Sequence, residues 1–352
     1  MSSRRSRVLR ATTLPGEDVQ LSPVVDDLTD DQARLTYADW LEGRGDLTRA
    51  RFLRSYTTAF RSMSPGEFPS EEGLPRQWVQ LLGVPFVRNL AEHGLESQRD
   101  RWLAQARPAL QVDSEEGTSA KTLESDAEFP VGATKLHGLP DLPRGTTWPQ
   151  ARDCRQRYFD EDDPSPEAPC SFVLQIDLAD LAGTQAARLL PPQGLLSVFS
   201  WSEVEEHGIT QGCLLFTPDT GDLARLDPSP SLFGPEADRA NALLGARPLT
   251  FSERLSLPEA DPRSPFEEMR GIDGELYDRY WTFRNAGESN SLDSLLGHVH
   301  HTTGDNHLPD HDWHQLLCIE NTIGLQLHFC IREEDLTAAR FERARLTWVD
   351  FD

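Results

Sequence analysis

The residues of this chain whose types and spacing could do chemistry crowd towards its C-terminal end. Seven of its ten histidines fall between His298 and His328. His298, His300, His301, His307, His311 and His314 share one polar stretch with Asp305, Asp310 and Asp312. Neutral imidazoles beside carboxylates suit zinc or another borderline transition metal, provided that three of them converge on one point. The spacing is not that of His-Glu-x-x-His, which places two rings on one helical face, so convergence has to come from the path of the loop. A solvated, weakly structured loop is the competing reading. His328 lies on the polar side of an alternating run and reads as exposed. Asp160-Glu161-Asp162-Asp163 could attract calcium, but it lacks the turn glycine and distal glutamate of an EF-hand loop and reads as a solvated acidic loop.

Other chemistries leave fewer traces. The sequence contains no Gly-rich phosphate loop and no Gly-x-Ser-x-Gly elbow, and it assigns no catalytic residue. Asp177 and Glu320 end two similar apolar runs and are the carboxylates that a paired site could use; capping of turns is their alternative role. Cys154, Cys170, Cys213, Cys318 and Cys330 are odd in number and lack the short paired spacings of a zinc knuckle or a redox motif. They read as reduced, mostly buried thiols of a cytosolic protein. No cofactor is expected beyond the zinc or other transition metal that the histidines could hold.

Charge narrows the partners. Against 58 acidic residues stand 34 basic ones, a net charge of −24, which repels phosphate backbones and anionic lipid surfaces. Neither nucleic acid nor membrane is an expected partner. Solubility accounts for such a charge, and so does an acidic face that docks on a basic protein. No uninterrupted apolar stretch is long enough to span a bilayer. The arginine-rich start, Arg4-Arg5-Ser6-Arg7, runs into Thr, Pro, Gly and Glu where a secretory leader would turn apolar, so residues 1–27 read as a disordered basic tail of a cytoplasmic protein.

These groups must be positioned by elements whose periods are visible. Thr29-Asp30-Asp31-Gln32 has the form of a capping box, and Ala33, Tyr37, Trp40 and Leu41 follow at helical spacing until Gly43 and Gly45. Leu47, Ala50, Leu53, Tyr56 and Phe60 continue that period, as do Trp78, Leu81 and Leu82, so residues 28–110 read as a helical module. A polar stretch at 111–128 cannot bury enough surface to order itself and reads as an acidic linker. Beyond it the pattern turns to strands, at about 171–178, 194–201, 212–217, 315–319, 324–331 and 344–349, with a helix at 332–341. The class is α+β: a small helical module followed by a larger mixed or antiparallel sheet domain over 129–352. Leu174-Gln175-Ile176-Asp177 with Gly194-Leu195, and Cys318-Ile319-Glu320 with Gly324-Leu325, suggest an internal pseudo-repeat that matches glycine to glycine.

Two resemblances follow from particular strings. Tyr37-Ala38-Asp39-Trp40-Leu41-Glu42 before Gly43-Arg44-Gly45-Asp46 resembles the bacterial repeat-companion domain over about 28–53, a module that implies no activity. Lys135-Leu136-His137-Gly138-Leu139-Pro140-Asp141-Leu142-Pro143, Trp148-Pro149, Phe172 to Leu178, Gly194 to Phe199, Leu295-Leu296-Gly297-His298 and His328 to Leu336 resemble the YwqG-like family from about Phe129 onwards. That resemblance implies an α+β fold in a family without an established reaction. Gly138 to Pro143, with prolines that fix φ, reads as a rigid structural turn. The functional expectation is a non-enzymatic protein-interaction module, with an antitoxin or immunity-like role as its sharpest form. A metal-binding protein or metal-dependent enzyme using loop 298–314, and a small-molecule sensor with a pocket between the pseudo-repeats, are the alternatives.

Overall fold

A computed structural model describes residues 6–114, 123–154, 168–202, 210–227, 244–257, 293–298, 313–320 and 326–348. The expected α+β class holds. Helices α1 (Glu17–Asp26), α2 (Asp31–Gly43), α3 (Leu47–Ser62), α4 (Arg76–Leu81), α5 (Val84–Glu92) and α6 (Arg99–Leu103) come first. Their apolar faces meet in one core around Leu21, Tyr37, Leu41, Leu53, Tyr56, Trp78, Leu90 and Trp102. The cap of α2 is Asp30 and not Thr29: its carboxylate accepts from the Gln32 and Ala33 N–H groups at 2.7 and 3.1 Å, while Thr29 donates to Asp27. A carboxylate both satisfies two orphan donors and sets negative charge at the positive end of the helix, which a threonine hydroxyl cannot do.

Of the expected tail, residues 1–5 lie outside the described residues, and residues 6–27 contain a strand and a helix. β1 (Arg7–Leu9) pairs in parallel with β9 (Leu249–Ser256), and α1 buries Glu17 in the helical core. Glu17 accepts from the Thr13 and Leu14 N–H groups, both at 2.8 Å, and from Tyr37 and Arg49. Trp78 Nε1 donates to the Tyr37 hydroxyl at 2.9 Å. A buried carboxylate with four donors is compensated, so an acidic letter in an otherwise polar stretch nucleates packing here.

Two sheets carry the rest. The larger runs β1, β9, β2 (Arg107–Ser114), β10 (Ser294–Leu295), β11 (Trp313–Glu320), β12 (Gln326–Arg332) and β13 (Arg345–Trp348). The smaller runs β3 (Lys135–Leu136), β5 (Ser171–Asp177), β6 (Leu195–Ser202) and β7 (Thr210–Thr217), and β4 (Asp141–Pro143) pairs with β8 (Leu223–Arg225). A short helix α7 (Glu333–Thr337) follows β12. Leu174, Ile176 and Leu196 of the small sheet share one core with Leu317, Leu327 and Phe329 of the large one. The backbone at Gly212 approaches so closely that a Cβ there would sit 2.6 Å from the Phe329 ring. Residues 111–114 of the stretch expected as a linker belong to a strand, because β2 pairs along its whole length with β9 and also with β10; residues 115–122 of that stretch lie outside the described residues.

The pseudo-repeat is a repeat of structure. Lys135 and Leu136 pair with Gln175 and Leu174, as Ser294 and Leu295 pair with Cys318 and Leu317. A bulge follows at Val173 in one unit and Leu316 in the other, whose carbonyls accept from the N–H groups of His137 and Leu296. His137-Gly138 and Leu296-Gly297 then both take left-handed φ, at 58° and 80° and at 64° and 99°. The correspondence places Leu196 on Leu327, one residue away from the glycine-to-glycine match, since Ile176 pairs with Leu196 and Ile319 with Leu327. His328 is also corrected: it is fully buried, as is Cys330, because β12 is an inner strand covered on both faces.

Candidate functional site: an acidic cleft over a buried ion cluster

The turn after β3 folds over charge. Gly138 is required at its position, since a Cβ there would meet Ala246 Cβ and Asp126 Oδ1 at 2.8 Å. Lys135, wholly buried, donates to Asp126 Oδ1 at 2.7 Å and to the Leu139 carbonyl at 2.6 Å, and lies 3.8 Å from Asp141. Asp141 is equally buried and accepts from Gln175 Nε2 at 2.7 Å, the Gly132 N–H at 2.9 Å and Arg225 Nε at 3.0 Å. Two cations thus face two carboxylates with their remaining lone pairs filled, the condition under which buried charge is tolerated. Burial pushes the Lys135 ammonium below its usual range, with Asp141 and Asp126 opposing. The string read as a rigid turn is therefore also ionic, and its signal was Lys135, one of only two lysines in the chain.

Beside this cluster opens a cleft of about 270 Å³ lined by Ser6, Pro130 to Thr134, Asp177, Asp180, Thr220 and Leu223. Thr134 holds its wall: the hydroxyl donates to Asp180 Oδ2 at 2.7 Å and accepts the Asp177 N–H at 2.9 Å. Asp177 Oδ1 accepts the Ala179 N–H at 3.0 Å, so the carboxylate caps a 3-10 turn while lining the cleft. Burial raises the Asp177 carboxyl above its ordinary value, the Ala179 hydrogen bond opposes this, and the Asp180 charge adds to it. Two carboxylates at a concave wall can accept an ammonium or guanidinium. Thr134 and Asp180 escaped sequence reasoning, because the contacts joining Thr134 to Asp177 and Asp180 span more than forty residues.

The other expected site residues that are described have partners of their own. Glu320 ends β11 at the place where Asp177 ends β5, on the other sheet. His298 bonds the Gln105 carbonyl through Nε2, and its N–H donates to Ser256 Oγ. His314 is held at both ring nitrogens, at 3.2 Å from Arg107 Nη1 and 3.2 Å from Glu333 Oε2. His300, His301, His307 and His311 lie outside the described residues, as does Asp160-Glu161-Asp162-Asp163. Among the described residues no three His, Cys, Asp or Glu side chains gather where a metal ion could sit. Cys318 Sγ lies 3.6 Å from His328 Nε2 with both residues fully buried, and burial pushes this thiol well above its ordinary range, so it stays protonated.

A family model described as a domain of unknown function, DUF1963, matches residues 134–349. The chain belongs to this family. Among curated proteins no match to it is found. The DUF1963 region opens on Thr134, whose hydroxyl joins the Asp180 carboxylate to the Asp177 backbone N–H, and it takes in both repeated units. Asp126, which anchors Lys135, stands ahead of the DUF1963 match. Among the described residues no helix is long and apolar enough to cross a membrane.

Proposed function

We propose that this chain is a non-enzymatic binding module of the cytoplasm, of the YwqG-like kind, that seats a cationic side chain of a basic protein partner in the cleft between Thr134, Asp177 and Asp180. The observation that carries the reading is the pairing of two carboxylates on the wall of a concave site about 270 Å³ in volume. That is side-chain scale, below the usual range of drug-sized pockets. A net charge of −24 supports it by steering a basic partner towards the molecule from a distance. The N-terminal helices, of which about residues 28–53 resemble the repeat-companion domain, serve as the tether. An antitoxin or immunity role is the sharpest form, in which the captured side chain belongs to a basic toxin.

The test separates the cleft from overall charge. Two labelled peptides, identical except for lysine or norleucine at one position, are titrated by fluorescence anisotropy at physiological salt. Asp177→Asn with Asp180→Asn is expected to weaken the lysine peptide by about tenfold or more, since a hydrogen bond to a charged group contributes roughly 1.5–3 kcal/mol. Glu72→Gln with Glu92→Gln, at two exposed positions, removes the same charge elsewhere and is expected to leave affinity within about twofold. Equal losses from both pairs, or equal affinity for both peptides, would refute the reading.

A further inference from the structure

We infer that Cys154 and Cys170 are an oxidisable thiol pair that closes to a disulfide when the protein meets peroxide. Sequence spacing hides the pair: sixteen positions separate the two cysteines, and they read as unrelated. The fold brings them together through a backbone clamp. Ala151 N–H donates to the Ala168 carbonyl at 2.7 Å and Cys170 N–H to the Pro149 carbonyl at 3.0 Å, forming an antiparallel bridge between Gln150 and Pro169. Cys154 ends the 3-10 turn after that bridge, and Cys170 precedes β5. Their sulfurs lie 3.3 Å apart, in contact but unbonded, so rotation of the side chains can bring them to the roughly 2.05 Å of a disulfide. Trp148, Phe172 and Phe199 pack around the pair, and Trp148 Nε1 donates to the Cys170 carbonyl at 2.8 Å.

A third thiol supplies the approach. Cys213 on β7 belongs to the same cluster, is hydrogen-bonded to Cys154, and lines a cleft of about 360 Å³ with Asp153, Phe216 and Glu342. Hydrogen peroxide, barely larger than water, can reach the buried pair from that side. The hydrogen bond to Cys170 holds the Cys154 thiol above its ordinary range, Cys213 opposing it, so Cys154 keeps its proton and acts second. The Cys170 sulfur attacks one peroxide oxygen; the O–O bond breaks, the departing hydroxide takes up the Cys170 proton to leave as water, and a sulfenic acid forms. Cys154 sulfur then attacks the sulfenic sulfur, the S–O bond breaks, and the hydroxyl leaves as a second water with the Cys154 proton. Two thiols are oxidised to one disulfide and one peroxide is reduced to two waters.

The experiment treats the full chain with hydrogen peroxide, quenches it, alkylates under denaturing conditions and maps the cysteines by peptide mass spectrometry. The expected result is a Cys154–Cys170 cross-linked peptide, loss of two alkylatable thiols from five, and full return on adding dithiothreitol. Cys213→Ser is expected to retain the cross-link, whereas Cys170→Ser is expected to abolish it with unchanged circular dichroism. Should Cys170→Ser not fold, the Cys213→Ser result alone decides, since a cross-link lost in that variant means that Cys213 is the true partner. Five alkylatable thiols after a treatment that oxidises the methionines, or a cross-link through Cys213, would overturn the inference.

Discussion

Replacing Lys135 by methionine keeps the length of the side chain and removes its charge from the centre of the ion cluster. In the native protein two cations, Lys135 and Arg225, face two carboxylates, Asp126 and Asp141, the last three of these within reach of Lys135 or of one another. Methionine leaves one cation against two buried carboxylates, and Asp126 keeps only the Leu139 N–H and an Arg225 guanidinium 3.8 Å away. Breaking a buried pair on one side costs about 3–5 kcal/mol, because the uncompensated charge remains out of water. For a unit of this size each kcal/mol shifts the melting temperature by about 2–4 °C, so a fall of about 6–20 °C is expected. Urea denaturation followed by circular dichroism supplies the free energy, and calorimetry the temperature. The second arm adds Asp126→Asn, which keeps a carbonyl to accept the Leu139 N–H and restores one cation to one carboxylate. More than half of the lost stability is expected to return. A single variant costing under about 1 kcal/mol, or a double variant less stable than the single, would refute the reasoning that uncompensated charge is what destabilises.

Two further outcomes follow from buried groups. His137, whose ring burial and the nearby Arg247 hold it down at about 4, stays neutral while the unfolded chain titrates near 6.5. As pH falls between those values the unfolded state gains the proton first, so about 3 kcal/mol of stability is lost; His137→Asn, which tolerates the left-handed backbone, should show a shallower fall from pH 7 to 4.5 in paired urea titrations, and parallel curves would count against the assignment. Glu253 accepts the Ala11 N–H through one oxygen and the Gln185 N–H through the other, both at 2.6 Å. Glu253→Gln turns one acceptor into a donor facing a donor and is expected to cost about 1–3 kcal/mol, with faster proteolysis ahead of α1. Unchanged stability and cleavage would mean that these contacts do not hold the N-terminal segment.

What the sequence showed depended on whether a segment carries its own period. α2 and α3 repeat apolar residues at three and four, and β5, β6, β11 and β12 are long enough to declare themselves. β3 and β10 have two residues each and exist only through their partners, so no local pattern announces them. β9 does alternate, but Glu253 follows Leu249 and Phe251 in its buried row and breaks the apolar signal. In the repeat, the glycines were the conspicuous letters, yet the conserved geometry is the bulge at Val173 and Leu316 and the left-handed turn after it, which no letter marks. Of the cleft, Asp177 was legible as a carboxylate ending a strand. Its neighbour Thr134 was not, because a hydroxyl becomes a bridge only when chain folding brings a distant carboxylate and a distant backbone N–H to it.

The position of β2 separates two kinds of unit that are often treated as one. It sits inside the large sheet, between β9 and β10, yet its residues precede the stretch that the family model matches. Residues 134–349 cut out alone would bring neither β1 nor β2, leaving β9 with no sheet neighbour and β10 with a bare rim of backbone amides and carbonyls. Such rims invite pairing between molecules. The stretch that the family model matches is thus shorter than the sheet it contributes to, and the segment ahead of it is the arm that delivers the missing rung.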